Sequence, residues 1–463
     1  MCGIAGVFVD TANSTEAPKI ASYILFSLQH RGQEGVGLAT SDGNSIKWAK
    51  TIGLVSDAIS NPNFQSLKGR ICIGHIRYST TGKTDIKNLQ PIVVDGMNLK
   101  FSIAHNGNIV NFSTLREQLE ERGSVFSSEM DTELIAHLIA SAKGDIIERM
   151  KYAFTKIKGS WSLVIMTPKL LIGARDPFGF RPLCLGKMQN TYILASESSS
   201  FDVVGAEFIR EVEPGEIVSI SEKGLQSYIY EKQLETKKCI FEHIYFSRPD
   251  SHIFGKDVYL MRINLGIELA EEHPSDADIV IPVPDSGLFA ALGYSQKSAI
   301  PLSYGLIRSH YTGRTFIEPL SSTRKLDVRM KLNPVKSLVR GKRIVLVDDS
   351  IVRGTTSQKI VKMLFDSGAK EVHMRISSPP IKFPCFYGID TPSKGELIAS
   401  SFGIEEVRKF LGCSSLAYLS IEGMLKACRG DRKEFCTACF SGDYPIHPED
   451  SAFITQLRLF REF

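Results

Sequence analysis

The sequence has no apolar run that approaches the length of a membrane-spanning helix, and it has no dense tract of lysine or arginine. Its net charge of +4 is small for 463 residues, so neither a membrane nor a nucleic acid is expected as a partner. The N-terminus lacks the basic and apolar regions of a secretory signal. Nine cysteines, an odd number, argue against a disulfide framework and for a reducing compartment. These absences favour a cytoplasmic protein, and the length favours two domains.

The segment Ile344–Thr356 carries the most informative pattern of the chain. It opens with four apolar, mostly β-branched residues, which are typical of a buried parallel strand. Asp348 and Asp349 follow where that strand would end, and a short loop with glycine and hydroxyl residues precedes a predicted helix at Ser357–Ser367. Backbone N–H groups at a helix start suit a phosphate, and the two acids suit ribose hydroxyls or a divalent metal. The alternative is a solvated acidic turn followed by a helix cap.

The whole pattern resembles the PRPP-binding signature of type I phosphoribosyltransferases. The resemblance implies that Asp348 and Asp349 bind the ribose 2- and 3-hydroxyls together with Mg²⁺. It implies that the following loop wraps the 5-phosphate, and the PRPP-binding residues of the loop are Ser350, Arg353, Gly354, Thr355 and Thr356. Val283–Gly287 resembles the pyrophosphate loop of the same family, and Ser286 falls at its metal-associated hydroxyl.

The two halves of the chain differ in their pattern of elements. Up to about residue 235, short strand-like runs are interrupted by two helical patterns, Ala17–Gln29 and Asp131–Ala142, which indicates a layered α+β domain. From about residue 257, a predicted helix at Val258–Glu272, a strand at Asp278–Val283 and further helices and strands alternate, which predicts a parallel sheet. We expect domains at 2–235 and 236–463, joined near Lys237–Ser251.

Several elements are predicted individually. The strands of the first half are predicted at Arg70–Ile76, Asn98–Ala104, Trp161–Thr167, Leu170–Arg175 and Thr191–Ser196, with a closing hairpin over Ile217–Leu234. In the second half, a helix is predicted at Gly287–Ser295. The basic segment Gly313–Lys331 is interpreted either as a solvated loop or as a mobile lid over a polyanionic substrate.

Cys2 is a candidate nucleophile. We expect that loss of Met1 is the only maturation step and that it leaves Cys2 with a free α-amino group, whose unperturbed pKa is about 8. One residue would then supply both the thiol and the base that activates it. The alternative, for any protein that begins Met-Cys, is an incidental or packed thiol.

Further polar segments change that balance. These segments are Gln29–Gly32, Gly74–Gly82, Ala104–Asn108 and Ser128–Glu133. Together with Cys2–Ile4, they resemble the N-terminal-nucleophile glutaminase domain of class II glutamine amidotransferases. The fold of that domain is an αββα sandwich. The resemblance implies that Asn106 and Gly107 form the oxyanion hole. It also implies that Arg77 holds the α-carboxylate of glutamine and that Asp131 pairs with its α-ammonium group.

Four cysteines from three segments form a second candidate site, Cys239, Cys385, Cys436 and Cys439. Four thiolates suit either Zn²⁺ or a [4Fe–4S] cluster, and their spacing does not separate these two. The four cysteines resemble the cluster ligands in the iron–sulfur branch of the amidophosphoribosyltransferase family, which implies a structural [4Fe–4S] cluster. The other four, Cys72, Cys184, Cys413 and Cys428, are expected to be packing residues, with Cys428 as the main rival ligand.

This family resemblance covers nearly the full chain. It implies that glutamine is hydrolysed at Cys2 and that the ammonia displaces pyrophosphate from C1 of PRPP, giving 5-phosphoribosylamine in the first step of purine synthesis. It also implies purine nucleotide inhibitors and a homo-oligomer, either a dimer or a tetramer.

Gly313–Ile317 matches the start of the PRPP-covering loop of the family, whereas Leu320–Arg324 departs from it. The alternative function is a non-catalytic nucleotide- or PRPP-sensing regulator; the first half alone would also fit glucosamine-6-phosphate synthase or asparagine synthetase, which carry no PRPP motif.

Overall fold

The computed structural model describes residues 1–11, 14–78, 85–97, 99–309 and 332–448. The predictions for Gly313–Lys331 and Leu320–Arg324 lie outside these ranges, as do the last residues of the Gly74–Gly82 segment.

Two antiparallel sheets form the centre of the first half. The seven-stranded sheet contains, in spatial order, Glu207–Glu211, Cys184–Met188, Thr191–Ala195, Gly3–Val9, Ile71–Arg77, Gly35–Ser41 and Ile46–Ile52. The six-stranded sheet contains, in spatial order, Gly224–Ile229, Glu216–Ser221, Leu171–Arg175, Gly159–Met166, Lys100–Ile109 and Ile92–Asp95. Alternate residues of the central strand face opposite sides, so that Ile4 and Phe8 are buried against Val164 of the other sheet.

Helices cover the outer faces of both sheets. Ala17–Ser27 packs on the seven-stranded sheet, where Ile24 and Leu25 belong to the same buried cluster as Val7. Asp131–Ser141 and Ile146–Phe154 cover the six-stranded sheet. The other helices described in this half are Val55–Ile59, Pro62–Gln65, Phe112–Glu121 and Ser199–Asp202, with 3₁₀ turns at Gln29–Arg31 and Ile86–Asn88. The order helix, sheet, sheet, helix confirms the predicted αββα sandwich.

A parallel sheet forms the centre of the second half. Its strands are, in spatial order, Ile279–Pro282, Arg343–Asp348, Glu371–Ile376 and Ser415–Tyr418. Val345 and Val347 face one side, which Val258–Glu272 and Leu288–Ser298 cover, whereas Ile344 and Leu346 face the side covered by Thr355–Asp366. The remaining helices are Lys336–Val339, Ile398–Ser401, Ile404–Leu411, Ile421–Ala427 and Ala438–Ser441, with a 3₁₀ turn at Lys394–Glu396 and a π-helical turn at Glu242–Phe246. The predicted parallel α/β domain is confirmed.

Short strand pairs complete the second half. They are Lys238–Cys239 with Phe435–Cys436, His252–Ile253 with Lys256–Asp257, and Leu306–Arg308 with Leu332–Pro334. The first pair is parallel and joins the predicted linker to the C-terminal part of the chain. In the same linker, the Cys239 N–H donates to the Phe180 carbonyl at 3.1 Å. The linker is therefore packed against both halves.

Among the described residues, no helix is long and apolar enough to cross a membrane.

Candidate active site

Cys2 lies at the edge between the two sheets of the first half, directly before the strand Gly3–Val9. Its side chain and backbone are 9% exposed in total. The thiol donates to the Tyr78 carbonyl at a sulfur–oxygen distance of 3.7 Å, and the backbone N–H donates to Asn106 Oδ1 at 3.3 Å. The structure therefore brings the predicted nucleophile and one predicted oxyanion-hole residue together, although they are 104 positions apart in the sequence.

The strand Lys100–Ile109 supplies both predicted oxyanion-hole residues. The Asn106 side-chain nitrogen is buried and has no hydrogen-bond partner among the described residues. A buried donor without a partner is costly, and this one is held where it is free to bind a ligand oxygen. At Gly107, a Cβ atom would lie 2.0 Å from the Ser160 carbonyl oxygen, so a larger side chain cannot fit.

Asp131 begins the helix Asp131–Ser141 and is almost fully buried. Its carboxylate accepts from the Ile109 N–H at 3.1 Å and lies 3.4 Å from His105 Nδ1. Burial raises the pKa of Asp131, but the nearby His105 and the hydrogen bonds outweigh it and hold the pKa below its usual range. Asp131 is therefore negatively charged at neutral pH.

Arg77 ends the strand Ile71–Arg77 and is also buried. Its guanidinium group donates to the Asn88 carbonyl and to the Met130 sulfur, and it lies 3.9 Å from the Glu34 carboxylate. Met130 directly precedes Asp131, so the predicted carboxylate-binding and ammonium-binding residues lie on the same side of the site.

The N-terminal amine is enclosed. Met1 is 1% exposed, and burial lowers the pKa of its α-amine to about 6. Cys2 lies in the same region, where its backbone N–H contacts the buried Asn106 and its thiol contacts the half-buried Tyr78.

The predicted PRPP loop follows the strand Arg343–Asp348 at the carboxyl edge of the parallel sheet. Ser286 Oγ and the Asp349 N–H both donate to Asp348 Oδ1, each at 2.9 Å. Ser350 Oγ donates to the Asp349 carboxylate. Because Ser286 follows the neighbouring strand, the structure places the predicted metal-associated hydroxyl directly on the acidic pair.

The loop then turns into the helix Thr355–Asp366. Gly354 has a left-handed backbone with φ +76° and precedes the helix, so that Thr355 and Thr356 form its first turn. The free N–H groups of that turn suit a phosphate. Arg353 precedes this turn, and its guanidinium group is paired with Glu396 at 2.9 Å on the surface.

The acidic pair is strongly perturbed. Asp348 and Asp349 are 7% and 6% exposed. Burial first, and then the charge of Asp349, raises the pKa of Asp348 well above its usual value, and burial also raises the pKa of Asp349. A divalent cation would offset the repulsion between the two carboxylates, and ribose hydroxyls would donate hydrogen bonds to them.

A cavity of about 480 Å³ lies beside the acidic pair and extends to residues of the first half. Its wall includes the loop from Asp348 to Thr356 on one side, and His30 and Tyr78 of the first half on the other. The backbone carbonyl of Tyr78 accepts the hydrogen bond from the Cys2 thiol. Aromatic side chains line the part between them, namely Phe241, Tyr245 and Phe246.

The four predicted cluster cysteines converge from their three segments. Cys239 and Cys436 are directly paired in the short parallel strands, and Cys385 and Cys439 both line the cavity. Burial, reinforced by the other three cysteines, raises the pKa of Cys439 well above its usual value. Burial also raises the pKa of Cys239 to about 11.

No group of three or more histidine, cysteine, aspartate or glutamate side chains could hold a metal ion as placed in the described ranges. Cys72, Cys184, Cys413 and Cys428 are buried, as expected of packing residues. The charges that perturb the pKa of Cys428 come from Lys256 and Glu434 rather than from another thiol.

A buried ionic network between the halves was not predicted. Arg31 pairs with both Glu197 and Glu242, and Arg181 lies 3.4 Å from Glu242. All four side chains are fully buried, and their two positive and two negative charges balance. His30 lies 2.6 Å from Glu197. The segment Gln29–Gly32 was singled out for its resemblance to known families, but not for this role, since pairing over such separations cannot be read from one sequence.

The fold and the site define a glutamine amidotransferase domain joined to a phosphoribosyltransferase domain. A family model described as "Glutamine amidotransferase domain" matches residues 75–203, and one described as "Phosphoribosyl transferase domain" matches residues 263–377. The chain is 48% identical to amidophosphoribosyltransferase 1, chloroplastic, of Arabidopsis thaliana, over 97% of this chain and 79% of that protein. It is 48% identical to the amidophosphoribosyltransferase of Archaeoglobus fulgidus, over 96% and 98% of the two chains. The chain belongs to the amidophosphoribosyltransferase family.

Solved structures agree with this assignment. The glutamine PRPP amidotransferase of Bacillus subtilis complexed with ADP and GMP superposes with a TM-score of 0.91 and is 46% identical, over 97% of this chain and 98% of that one. A structure described as the allosteric regulatory enzyme of purine biosynthesis gives a TM-score of 0.92 at 46% identity, over 97% of both chains. The protein is thus an enzyme, a glutamine amidotransferase and pentosyltransferase of purine biosynthesis.

Proposed function

We propose that the chain transfers ammonia from glutamine to C1 of PRPP, with the thiol of Cys2 and the acidic pair at Asp348 and Asp349 as its two reaction centres. The observation that carries this proposal is the cavity that reaches from the Asp348–Thr356 loop to Tyr78, whose carbonyl accepts a hydrogen bond from the Cys2 thiol. A cavity that extends from one reaction centre toward the other suits a reaction whose intermediate is ammonia, because ammonia in bulk water is mostly protonated and no longer nucleophilic.

In the first half-reaction, the Cys2 thiolate attacks the side-chain amide of glutamine. The α-amine of Cys2, free after loss of Met1, accepts the thiol proton and passes it to the departing ammonia. Negative charge develops on the amide oxygen, and the unpartnered Asn106 side-chain nitrogen and the Gly107 N–H stabilise it. Arg77 binds the α-carboxylate and Asp131 the α-ammonium group. Water then hydrolyses the thioester and releases glutamate.

In the second half-reaction, ammonia attacks C1 of PRPP and pyrophosphate leaves. Asp348 and Asp349 hold the ribose hydroxyls, and the first turn of Thr355–Asp366 holds the 5-phosphate through its N–H groups. Ser350, Arg353 and Gly354 complete the loop around this phosphate. Arg353 would have to leave Glu396 to reach the phosphate, which an exposed ion pair permits at small cost.

The chemistry of the donor groups suits the two implied inorganic cofactors, although the described side chains are not gathered into a metal site as placed. Asp348, Asp349 and the hydroxyl of Ser286 are oxygen donors of the kind that Mg²⁺ prefers, and the ion would neutralise charge on the leaving pyrophosphate. Cys239, Cys385, Cys436 and Cys439 would hold a [4Fe–4S] cluster in a structural role.

Further parts of the proposal concern organisation. We place the glutaminase domain at 2–235 and the phosphoribosyltransferase domain with its cysteine-bearing tail at 236–463. We propose a cytoplasmic homo-oligomer, a dimer or tetramer, that binds purine nucleotides as feedback inhibitors. A relative's structure with ADP and GMP supports the nucleotide part.

The test is pyrophosphate release from PRPP with two nitrogen sources. Cys2→Ala should abolish the glutamine-dependent reaction and retain the reaction with ammonium salts, because only the first half-reaction needs the thiol. Equal glutamine-dependent rates in the two proteins would contradict the assignment of Cys2. No pyrophosphate release with either nitrogen source in the unaltered protein would favour the regulatory alternative.

A further inference from the structure

The segment Phe386–Gly388 of the second half lies directly on the strand that carries Asn106 and Gly107. Gly388 has a left-handed backbone with φ +96°, and a Cβ atom there would lie 3.0 Å from both the carbonyl carbon and the carbonyl oxygen of Gly107. The neighbour is backbone, which cannot move aside as a flexible side chain can. The two glycines are therefore in close contact, and neither position has room for a larger residue.

Hydrogen bonds fix this contact from both sides. The Asn108 side-chain nitrogen donates to the Phe386 carbonyl at 2.9 Å. Ser160 Oγ donates to the Tyr387 carbonyl at 2.9 Å and accepts from the Asn108 N–H at 3.2 Å. The peptide that follows Gly107 is thus enclosed between Gly388 and the hydroxyl of Ser160.

The segment is itself firmly held. Arg181 Nε donates to the Tyr387 carbonyl at 2.8 Å. The Tyr387 ring stacks on Phe180 with 4.4 Å between ring centroids, and its hydroxyl donates to the Ile446 carbonyl at 2.6 Å. Phe386 and Tyr387 are 1% and 2% exposed. Because the Phe386–Gly388 segment is closely packed and buried, its position restricts the position of the Gly107 backbone that it contacts.

We propose that Gly388 is a positioning residue for the glutaminase reaction, so that the second domain completes the oxyanion hole of the first. Gly388 and the Ser160 hydroxyl hold the peptide that follows Gly107. A Cβ atom at position 388 would also lie 3.1 Å from the Gly107 Cα, so the segment fixes the Cα atom that is bonded to the Gly107 nitrogen and thereby the position of its N–H. Oxyanion stabilisation depends on donors held in place before the reaction, so a small displacement at Gly107 lowers the rate of the acyl-transfer step. This inference rests on the proposed role of Gly107 as an oxyanion donor.

Gly388→Ala tests the inference. We expect kcat for the glutamine-dependent reaction to fall about 10-fold or more, while KM for glutamine stays within about twofold, because the oxyanion forms only in the transition state. The ammonium-dependent reaction should stay within about twofold, since it bypasses the oxyanion hole. A purely structural role would lower both reactions together.

Gly412→Ala is the matched control. Gly412 also has a left-handed backbone, φ +72°, but nothing lies within 4 Å of a Cβ atom there. This variant carries the same backbone strain without the contact, so its ratio of glutamine- to ammonium-dependent activity should equal that of the unaltered protein.

Ser160→Ala keeps the inference testable if Gly388→Ala does not fold. It removes the hydroxyl between Tyr387 and Asn108 and leaves all backbone in place, and it should lower glutamine kcat about threefold or more at constant KM. An unchanged activity ratio in Gly388→Ala, or in Ser160→Ala when the first variant is unfolded, would overturn the inference, as would equal losses with both nitrogen sources. Failure of the proposed function is separate, because it would show as glutamine-dependent activity in Cys2→Ala.

Discussion

The side chain of Asn106 allows a prediction in which catalysis and stability separate. Its oxygen accepts from the Cys2 N–H at 3.3 Å, and its nitrogen is buried without a partner in the described part of the chain. Removal of a single oxyanion donor costs about 10²–10³ in kcat, or roughly 3–4 kcal/mol of transition-state stabilisation. We therefore expect Asn106→Ala to lower glutamine kcat by about 100- to 1000-fold and to leave the ammonium-dependent rate unchanged.

The effect on stability should be small for a specific reason. The substitution leaves the Cys2 N–H without its acceptor, which costs about 1–3 kcal/mol, but it also removes an unsatisfied buried nitrogen, which relieves a penalty of similar size. The two contributions oppose each other, so the apparent Tm should change by no more than about 3 °C. Thermal unfolding followed by calorimetry, beside the two rate assays, measures both quantities on the same preparation.

Asn111→Ala provides the matched control. Asn111 is also buried, but its nitrogen donates to the Lys156 carbonyl at 3.0 Å and its oxygen accepts from the Lys158 N–H at 2.9 Å. This variant should lower Tm and keep the ratio of glutamine- to ammonium-dependent activity. The reasoning would be refuted if Asn106→Ala kept its glutamine kcat within about threefold, or if it lost both activities in proportion.

Three further predictions concern other parts of the molecule. Asp348→Asn should abolish pyrophosphate release with glutamine and with ammonium alike, and loss of the glutamine reaction alone would contradict its assignment to PRPP. Glu242→Gln should lower the apparent Tm by about 5–10 °C at neutral pH, because it leaves buried arginine charge uncompensated. Burial raises the pKa of Glu242, but Arg31 and Arg181 outweigh it and hold the pKa below the usual value. The charged Glu242 therefore stabilises the fold above pH ~4.5. The difference in Tm between Glu242→Gln and the unaltered protein should shrink as the pH falls below that value. Cys436→Ser should lose iron and sulfide in anaerobically purified protein, and a colourless, zinc-loaded and fully active unaltered protein would refute the cluster.

Periodicity and end signals were sufficient for most long elements. The helix Val258–Glu272 has the predicted bounds, and the Asp257 side chain caps it by accepting from the Leu260 N–H at 3.0 Å. Ala17–Ser27 and Asp131–Ser141 end one or two residues before the predicted ends. The helices Phe112–Glu121 and Ile146–Phe154 were not predicted.

The strand that carries Asn106 and Gly107 is longer than predicted. The strand predicted at Asn98–Ala104 extends to Ile109, because the residues after Ala104 are paired with Gly159–Leu163 of the neighbouring strand inside the sheet. Polar side chains in a buried strand oppose the usual pattern, and here they serve the site. The resemblance to known families indicated Asn106 and Gly107 themselves. The contact with Gly388, 281 positions away, depends on how two domains meet and leaves no local signal.

The buried network of Arg31, Glu197, Glu242 and Arg181 also constrains how this protein can be engineered. Three of its members lie in the first half and Glu242 lies in the second, so a chain cut near residue 235 would leave an excess buried positive charge in one fragment. A hybrid that takes its glutaminase half from one relative and its transferase half from another must therefore inherit complementary charges at these four positions. The halves resemble separable modules in sequence, but electrostatically they form one unit.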